Sequence, residues 1–135
     1  MSEPAFAFCL LVLLMLFAPA VRAAEAGPPV QKLAISFDVE RGLLRGTARI
    51  DLPPGPAAGI ELGRLQVDRV TVNGQPAPAP SGEGALQVPA AEGPRQVTIG
   101  YRLQTGDRGE NLISPAGISL TGFWHPLLGT ETLFE

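Results

Sequence analysis

Large apolar residues fall at every second position in Leu33-Ala34-Ile35-Ser36-Phe37-Asp38-Val39. That period gives a strand one buried face and one wet face. After a turn-like Glu40-Arg41-Gly42, the stretch Leu44-Arg45-Gly46-Thr47-Ala48-Arg49-Ile50-Asp51-Leu52 alternates again, with Arg45, Thr47, Arg49 and Asp51 on the solvent side. Two alternating runs joined by a short glycine-containing link predict an antiparallel hairpin. Pro53-Pro54-Gly55-Pro56 ends the second run, because proline has no N–H for a ladder.

Shorter segments follow. Ile60-Glu61-Leu62 is one, and Leu65-Gln66-Val67 and Val70-Thr71-Val72 are two more, with the apolar phase slipping between Val67 and Val70. A slip in a period of two predicts a bulge or bend at Asp68-Arg69. Asn73-Gly74 is the pair favoured in a tight type I′ turn. The return arm, Gln75-Pro76-Ala77-Pro78-Ala79-Pro80, can pair only briefly, and residues 81–84 read as loop. Ala85-Leu86-Gln87-Val88 is a short strand. Val97-Thr98-Ile99-Gly100-Tyr101-Arg102-Leu103 is the clearest strand of the chain, with Val97, Ile99, Tyr101 and Leu103 on one face. Residues 105–111 read as a polar loop, and Ile118-Ser119-Leu120 with Phe123-Trp124 forms a last apolar stretch. No stretch of ten or more residues carries a helical period. About seven short strands separated by frequent turns predict an all-β fold, an antiparallel sandwich or an open barrel-like sheet pair.

The start of the chain follows a different pattern. Residues 5–19 form an unbroken apolar run, followed by Ala20-Val21-Arg22-Ala23-Ala24. An apolar core followed by small residues is the layout of a secretory signal peptide, with cleavage expected after Ala23. Met1-Ser2-Glu3-Pro4 lacks the positive charge that a signal's start ordinarily carries. The alternative is an uncleaved membrane anchor, for which the run is shorter than the roughly 20 residues a span requires; Pro19 would also interrupt its helix. The expected organisation is a helical signal peptide over 1–23, a disordered lead over 24–29, a β-sandwich domain over 30–128, and the start of a further strand or a truncated end over 129–135. The mature protein is then exported, periplasmic or extracellular, with no stable membrane span once the signal is cleaved.

Composition narrows the chemistry. The formal net charge is −3, with no basic run, which argues against a nucleic-acid partner. The single cysteine, Cys9, leaves with the signal, so disulfides, thiolate nucleophiles and cysteine-based zinc sites are excluded. His125 is the only histidine; with carboxylates alone as co-ligands and no nucleophile-elbow serine it reads as a structural or surface residue. Asp107-Arg108-Gly109-Glu110-Asn111 faintly resembles a calcium loop but lacks its ligand run, and reads as a solvated turn. Arg45 and Arg49 read as an ordinary cross-strand salt-bridge face and not an anion site. Phe123 and Trp124, beside His125 and Pro126, offer either a stacking or partner-facing platform or a plug at one end of the domain. No catalytic residue is assigned.

The order of these elements resembles a known family. The stretch from Leu33 through Leu43-Leu44-Arg45-Gly46-Thr47-Ala48-Arg49-Ile50 looks like an opening hairpin of that family, and Ile60-Glu61-Leu62 with LQVDRVTVNG at 65–74 is similar to its strand ending in Val-Asn-Gly. Leu86-Gln87-Val88-Pro89, Val97-Thr98-Ile99-Gly100-Tyr101 and the segment from Ile118 to Pro126 complete the likeness, with His125 where divergent members carry Tyr. The family is the aminopeptidase N family of zinc metallopeptidases, and the resemblance is to its N-terminal β-domain in the divergent bacterial exported branch. It implies a saddle-shaped sandwich that docks on a catalytic domain and shapes its cleft. The zinc-binding His-Glu-x-x-His would lie in that catalytic domain, which this sequence does not contain. On this reading the chain is a fragment or truncated product, no enzyme by itself and without a cofactor of its own. Its partner is a metallopeptidase catalytic domain, in cis or in trans, with Phe123, Trp124, His125 and Phe134 nearest the interface. The alternative is a freestanding periplasmic ligand-binding or adhesion module in which Trp124 and Tyr101 face a ligand.

Overall fold

The computed structural model describes residues 27–80, 84–106 and 109–129. The segment read as a signal peptide, the first residues of the expected lead, Asp107-Arg108 of the polar loop, and Phe134 lie outside them. The described residues contain no helix. Their strands are β1 (Val30–Asp38), β2 (Leu43–Leu52), β3 (Ala58–Gly63), β4 (Gln66–Val72), β5 (Gln75–Ala77), β6 (Gly84–Val88), β7 (Arg95–Gln104), β8 (Asn111–Ser114), β9 (Gly117–Leu120) and β10 (Leu127–Leu128). A five-stranded sheet has the order β1-β2-β7-β4-β5, a three-stranded sheet the order β10-β3-β6, and β8 with β9 forms a two-stranded hairpin. Every pairing is antiparallel.

The alternation read from the sequence sets the faces. On β2, Leu44, Ala48, Ile50 and Leu52 point inward; on β7, Val97, Ile99 and Tyr101 do the same. They join Ile60 and Leu62 of β3, Leu86 and Val88 of β6 and Ile113 of β8 in one buried cluster. Each buried Leu, Ile or Val among them contributes about 1.5–3 kcal/mol relative to exposure. The bulge is present, as a register shift between Val67 and Arg69 opposite Tyr101 and Gly100. The β4–β5 turn has φ of 50° at Asn73 and 78° at Gly74, the left-handed pair that a type I′ turn requires. Asn73 Oδ1 also accepts from the Gln96 N–H at 2.7 Å, fixing the turn to β7.

Two expectations are corrected, and one buried charge was not anticipated. Among the described residues there are ten strands where about seven were expected, because β8 begins at Asn111 where the sequence reads as polar loop, and β5 and β10 are only three and two residues long. Such short elements carry too little pattern to be read. The first run has the expected phase but not the expected burial: Ile35 packs on the core, whereas Leu33 and Phe37 stay 37% and 41% exposed. Arg95, charged and at the start of β7, is buried at 5% exposure.

Arg95 holds two loops together. Its Nη1 donates to the carbonyls of Pro56 and Pro89 at 2.8 and 2.9 Å, and its Nη2 to that of Pro53 at 2.7 Å. Prolines cannot donate to a ladder, but their carbonyls are good acceptors, and three of them converge here on one planar fork. Beside the clamp, Gly55 and Ala91 exchange two backbone hydrogen bonds at 3.0 and 3.1 Å, so the β2–β3 and β6–β7 connections are stitched together. The Arg95 Nε has no partner.

Tyr101 lies flat across β2. Gly46 is its register partner, and a Cβ at Gly46 would sit 2.7 Å from Tyr101 Cε1. Only glycine lets the ring cover the strand. The phenol oxygen is buried without a hydrogen-bond partner, and burial pushes its pKa above the ordinary 10.0.

Two tests follow from these packings. The folded phenol stays neutral at pH values where the unfolded one ionises, so stability is full below about pH 10 and falls as pH rises through the raised value. Urea midpoints measured at pH 8 and pH 11 should therefore drop more for the parent than for Tyr101→Phe, which should match or exceed parental stability at pH 8. Arg95→Lys, which keeps the charge but loses the fork, should lower stability by about 1–3 kcal/mol. Faster exchange of the Gly55 and Ala91 amides should accompany that loss.

Candidate functional site

The C-terminal segment that the sequence singles out crosses the edge of the core. Phe123 rests on Gly63, where a Cβ would come within 3.0 Å of its ring. Its carbonyl accepts from Asn111 Nδ2 at 3.0 Å, and Asn111 Oδ1 accepts from the Gly122 N–H at 3.0 Å. Phe123 and Trp124 are half-buried and both pack against the core cluster. The His125 ring meets Trp124 edge to face at 4.5 Å between centroids and 77° between planes. His125 Nδ1 lies 2.8 Å from the Pro126 carbonyl. A carbonyl only accepts, so the bond puts a proton on Nδ1. Gln31 Nε2 of β1 donates to the same carbonyl at 2.8 Å. Phe123, Trp124 and His125 are thus brought together, and the segment is tied to β1. Tyr101 stands apart from them at 1% exposure in the core and presents no face to a ligand. Among the described residues no three His, Cys, Asp or Glu side chains are grouped to hold a metal ion.

A second constellation lies on the outer face of the five-stranded sheet. The register places Arg45 opposite Arg102 and Thr47 opposite Gly100, while Arg69 of β4 stands opposite Gly100 from the other side. The bulge carries Asp68 and Arg69 onto the rim of a groove of about 510 Å³ lined by Arg45, Thr47, Asp68, Arg69, Gly100 and Arg102. Like charges directly opposed on antiparallel strands are destabilising. Arg102 Nε donates to Asp68 Oδ1 at 3.1 Å, with both side chains nearly half exposed.

The face is not the ordinary salt-bridge stripe that alternation suggests. Its carboxylates are each engaged: Asp38 by Arg41 at 3.7 Å, Asp51 by Arg49 at 3.6 Å, and Asp68 by Arg102. Arg49 therefore pairs as expected, but Arg45 faces a guanidinium instead of a carboxylate. Gly100 has no packing reason to be glycine, since the nearest atom to an added Cβ would be Arg69 Cβ at 3.8 Å. Glycine inside a strand is unfavourable and often marks a place where something approaches the backbone.

The sequence alone reads Arg45 as a salt-bridge residue and gives Arg69, Arg102 and Gly100 only places in strands, with no role. Two signals were visible: a glycine in the middle of the clearest strand, and the phase slip at Asp68-Arg69. Neither identifies the neighbours without the register. No protein-family model matches this chain, and no curated protein matches it.

Proposed function

We propose that residues 30–128 form a saddle-like antiparallel β-sandwich of an exported protein, and that this domain is a non-catalytic docking module for a metallopeptidase catalytic domain. The observation that supports the docking is the inner face of β1. Single exposed apolar side chains are ordinary on protein surfaces. Leu33 and Phe37 differ because they lie on the inward face of the sheet, next to Ala48 and Leu44, which are fully buried. The face is built for cover, and within the described residues it is only half covered. Ile118 and Leu127 add further exposed apolar surface at 45% and 40%.

The Gln31–Pro126 hydrogen bond puts the segment carrying Phe123, Trp124 and His125 beside β1. A domain joined in cis after this segment would begin next to the face it covers. The residues 5–19 apolar run and the cysteine-free remainder of the sequence fit an exported protein, and the resemblance of its strands to the aminopeptidase N family supplies the identity proposed for the partner.

The experiment is co-expression of the full chain with the zinc-peptidase domain encoded beyond codon 135 or beside this gene in the source genome. The two should co-elute, and amides of β1 should exchange more slowly in the complex. Leu33→Asp/Phe37→Asp should abolish co-elution with little change in Tm, since both positions are already exposed. Lack of any such coding sequence, or a complex that survives the double substitution, refutes the reading. The chain alone should release nothing from aminoacyl arylamides, with or without zinc.

A further inference from the structure

We infer that the outer face of the five-stranded sheet carries a binding site for a tetrahedral oxyanion, of the phosphate or sulfate class, in the groove between Arg45, Arg69 and Arg102. The inference does not depend on the docking reading, since this face is the opposite side of the sheet from Leu33 and Phe37.

Charge is the first argument. The chain as a whole is net −3, yet the groove holds three guanidinium groups against the single carboxylate of Asp68. Asp68 neutralises Arg102 at 3.1 Å. Arg45 and Arg69 face the same space with no carboxylate partner among the described residues, and the other carboxylates of this face, Asp38 and Asp51, are held by Arg41 and Arg49. A local charge of about +2, with the opposed Arg45 and Arg102 in register, is destabilising until a counter-charge enters. A dianion balances it.

Shape is the second. The bulge between Val67 and Arg69 turns Arg69 toward the groove, as bulges beside functional sites commonly re-aim a side chain. Gly100 leaves the floor bare of side chain, and nothing in the packing requires that. The contrast with Gly46 is informative, because the Tyr101 ring demands the glycine there. The Thr47 hydroxyl on the groove wall adds a neutral donor.

The geometry also selects the class of anion. A carboxylate can satisfy at most one guanidinium fork, in a bidentate pair, and Asp68 is already engaged through one oxygen with Arg102 Nε at 3.1 Å. Arg45 and Arg69 approach from different strands on either side of β7. A tetrahedral group has oxygens to offer to both forks at once, with one left for Thr47. Asp68 then acts as an internal competitor that shares Arg102 with the ligand.

The test is a ¹H–¹⁵N titration of the full chain, following backbone amides and arginine Nε–H, with sodium phosphate, glycerol 3-phosphate and sodium chloride at constant ionic strength. Phosphate should give saturable shifts centred on Thr47, Arg69, Gly100 and the three guanidinium groups, with Kd on the order of 1 mM as expected for an open site. Glycerol 3-phosphate binding at least tenfold tighter would identify an esterified group as the ligand, and equal affinity the free ion. Asp68→Asn should tighten binding several-fold, and Arg45→Gln/Arg69→Gln should weaken it at least tenfold. Gly100→Val should block the groove while keeping or raising Tm, which separates lost binding from lost folding. Shifts that fail to saturate, that chloride reproduces, or that persist in Arg45→Gln/Arg69→Gln and Gly100→Val overturn the site.

Discussion

The ten-residue antiparallel register between β2 and β7, from Leu43 opposite Gln104 to Leu52 opposite Arg95, is the constraint on which the rest of the structure depends. A strand's two faces are fixed together, so one choice of register sets everything on both sides. Inward, it aligns Ala48 with Ile99 and Ile50 with Val97, and lays Tyr101 over Gly46. Outward, the same pairing forces Arg45 against Arg102 and leaves Gly100 open opposite Thr47. A slip of one residue would bury arginines and expose the core. The inner face, where apolar burial contributes most of the stabilisation, therefore dictates the outer one, and the unfavourable charge arrangement is held in place by core packing.

The two sheets differ in extent, and that difference shapes both faces of the molecule. The five-stranded and the three-stranded sheet both contribute to one buried cluster, to which the β8–β9 hairpin adds Ile113. The uncovered remainder falls on β1, an edge strand of nine residues. Edge strands usually carry charge or proline that discourages further pairing. At the opposite edge β5 does so with Pro76, whereas β1 carries only Lys32 and its last residue Asp38 and presents exposed Val30, Leu33 and Phe37. The asymmetry leaves β1 with apolar surface and an outer edge that no other described strand pairs.

The sequence made the strand class plain because period-two alternation in residues 44–52 and 97–103 is long enough to exclude a helix. It also exposed the bulge and the Asn73-Gly74 turn, since each leaves a local mark: a phase slip in one case and a residue pair with special backbone needs in the other. It could not reveal the burial of Arg95, because the carbonyls that receive it come from Pro53, Pro56 and Pro89 and no local pattern joins them. β8 was hidden for a similar reason: Asn111 reads as loop, and its amide is used to hold Gly122 and Phe123. The arginine groove needed three strands brought into register before Arg45, Arg69 and Arg102 became neighbours. Trp124 and His125 were noticed by type alone, and their mutual contact depends on chain geometry that composition does not encode.

The Arg95 clamp has a consequence for acid conditions. Ordinary buried ion pairs fail when the carboxylate takes up a proton. Here the acceptors are three peptide carbonyls, which do not titrate, and an arginine side chain keeps its proton throughout the range in which proteins fold. The join between the β2–β3 and β6–β7 loops is thus indifferent to acidity. The end of the domain that Arg95 closes is held by acceptors that carry no ionisable proton.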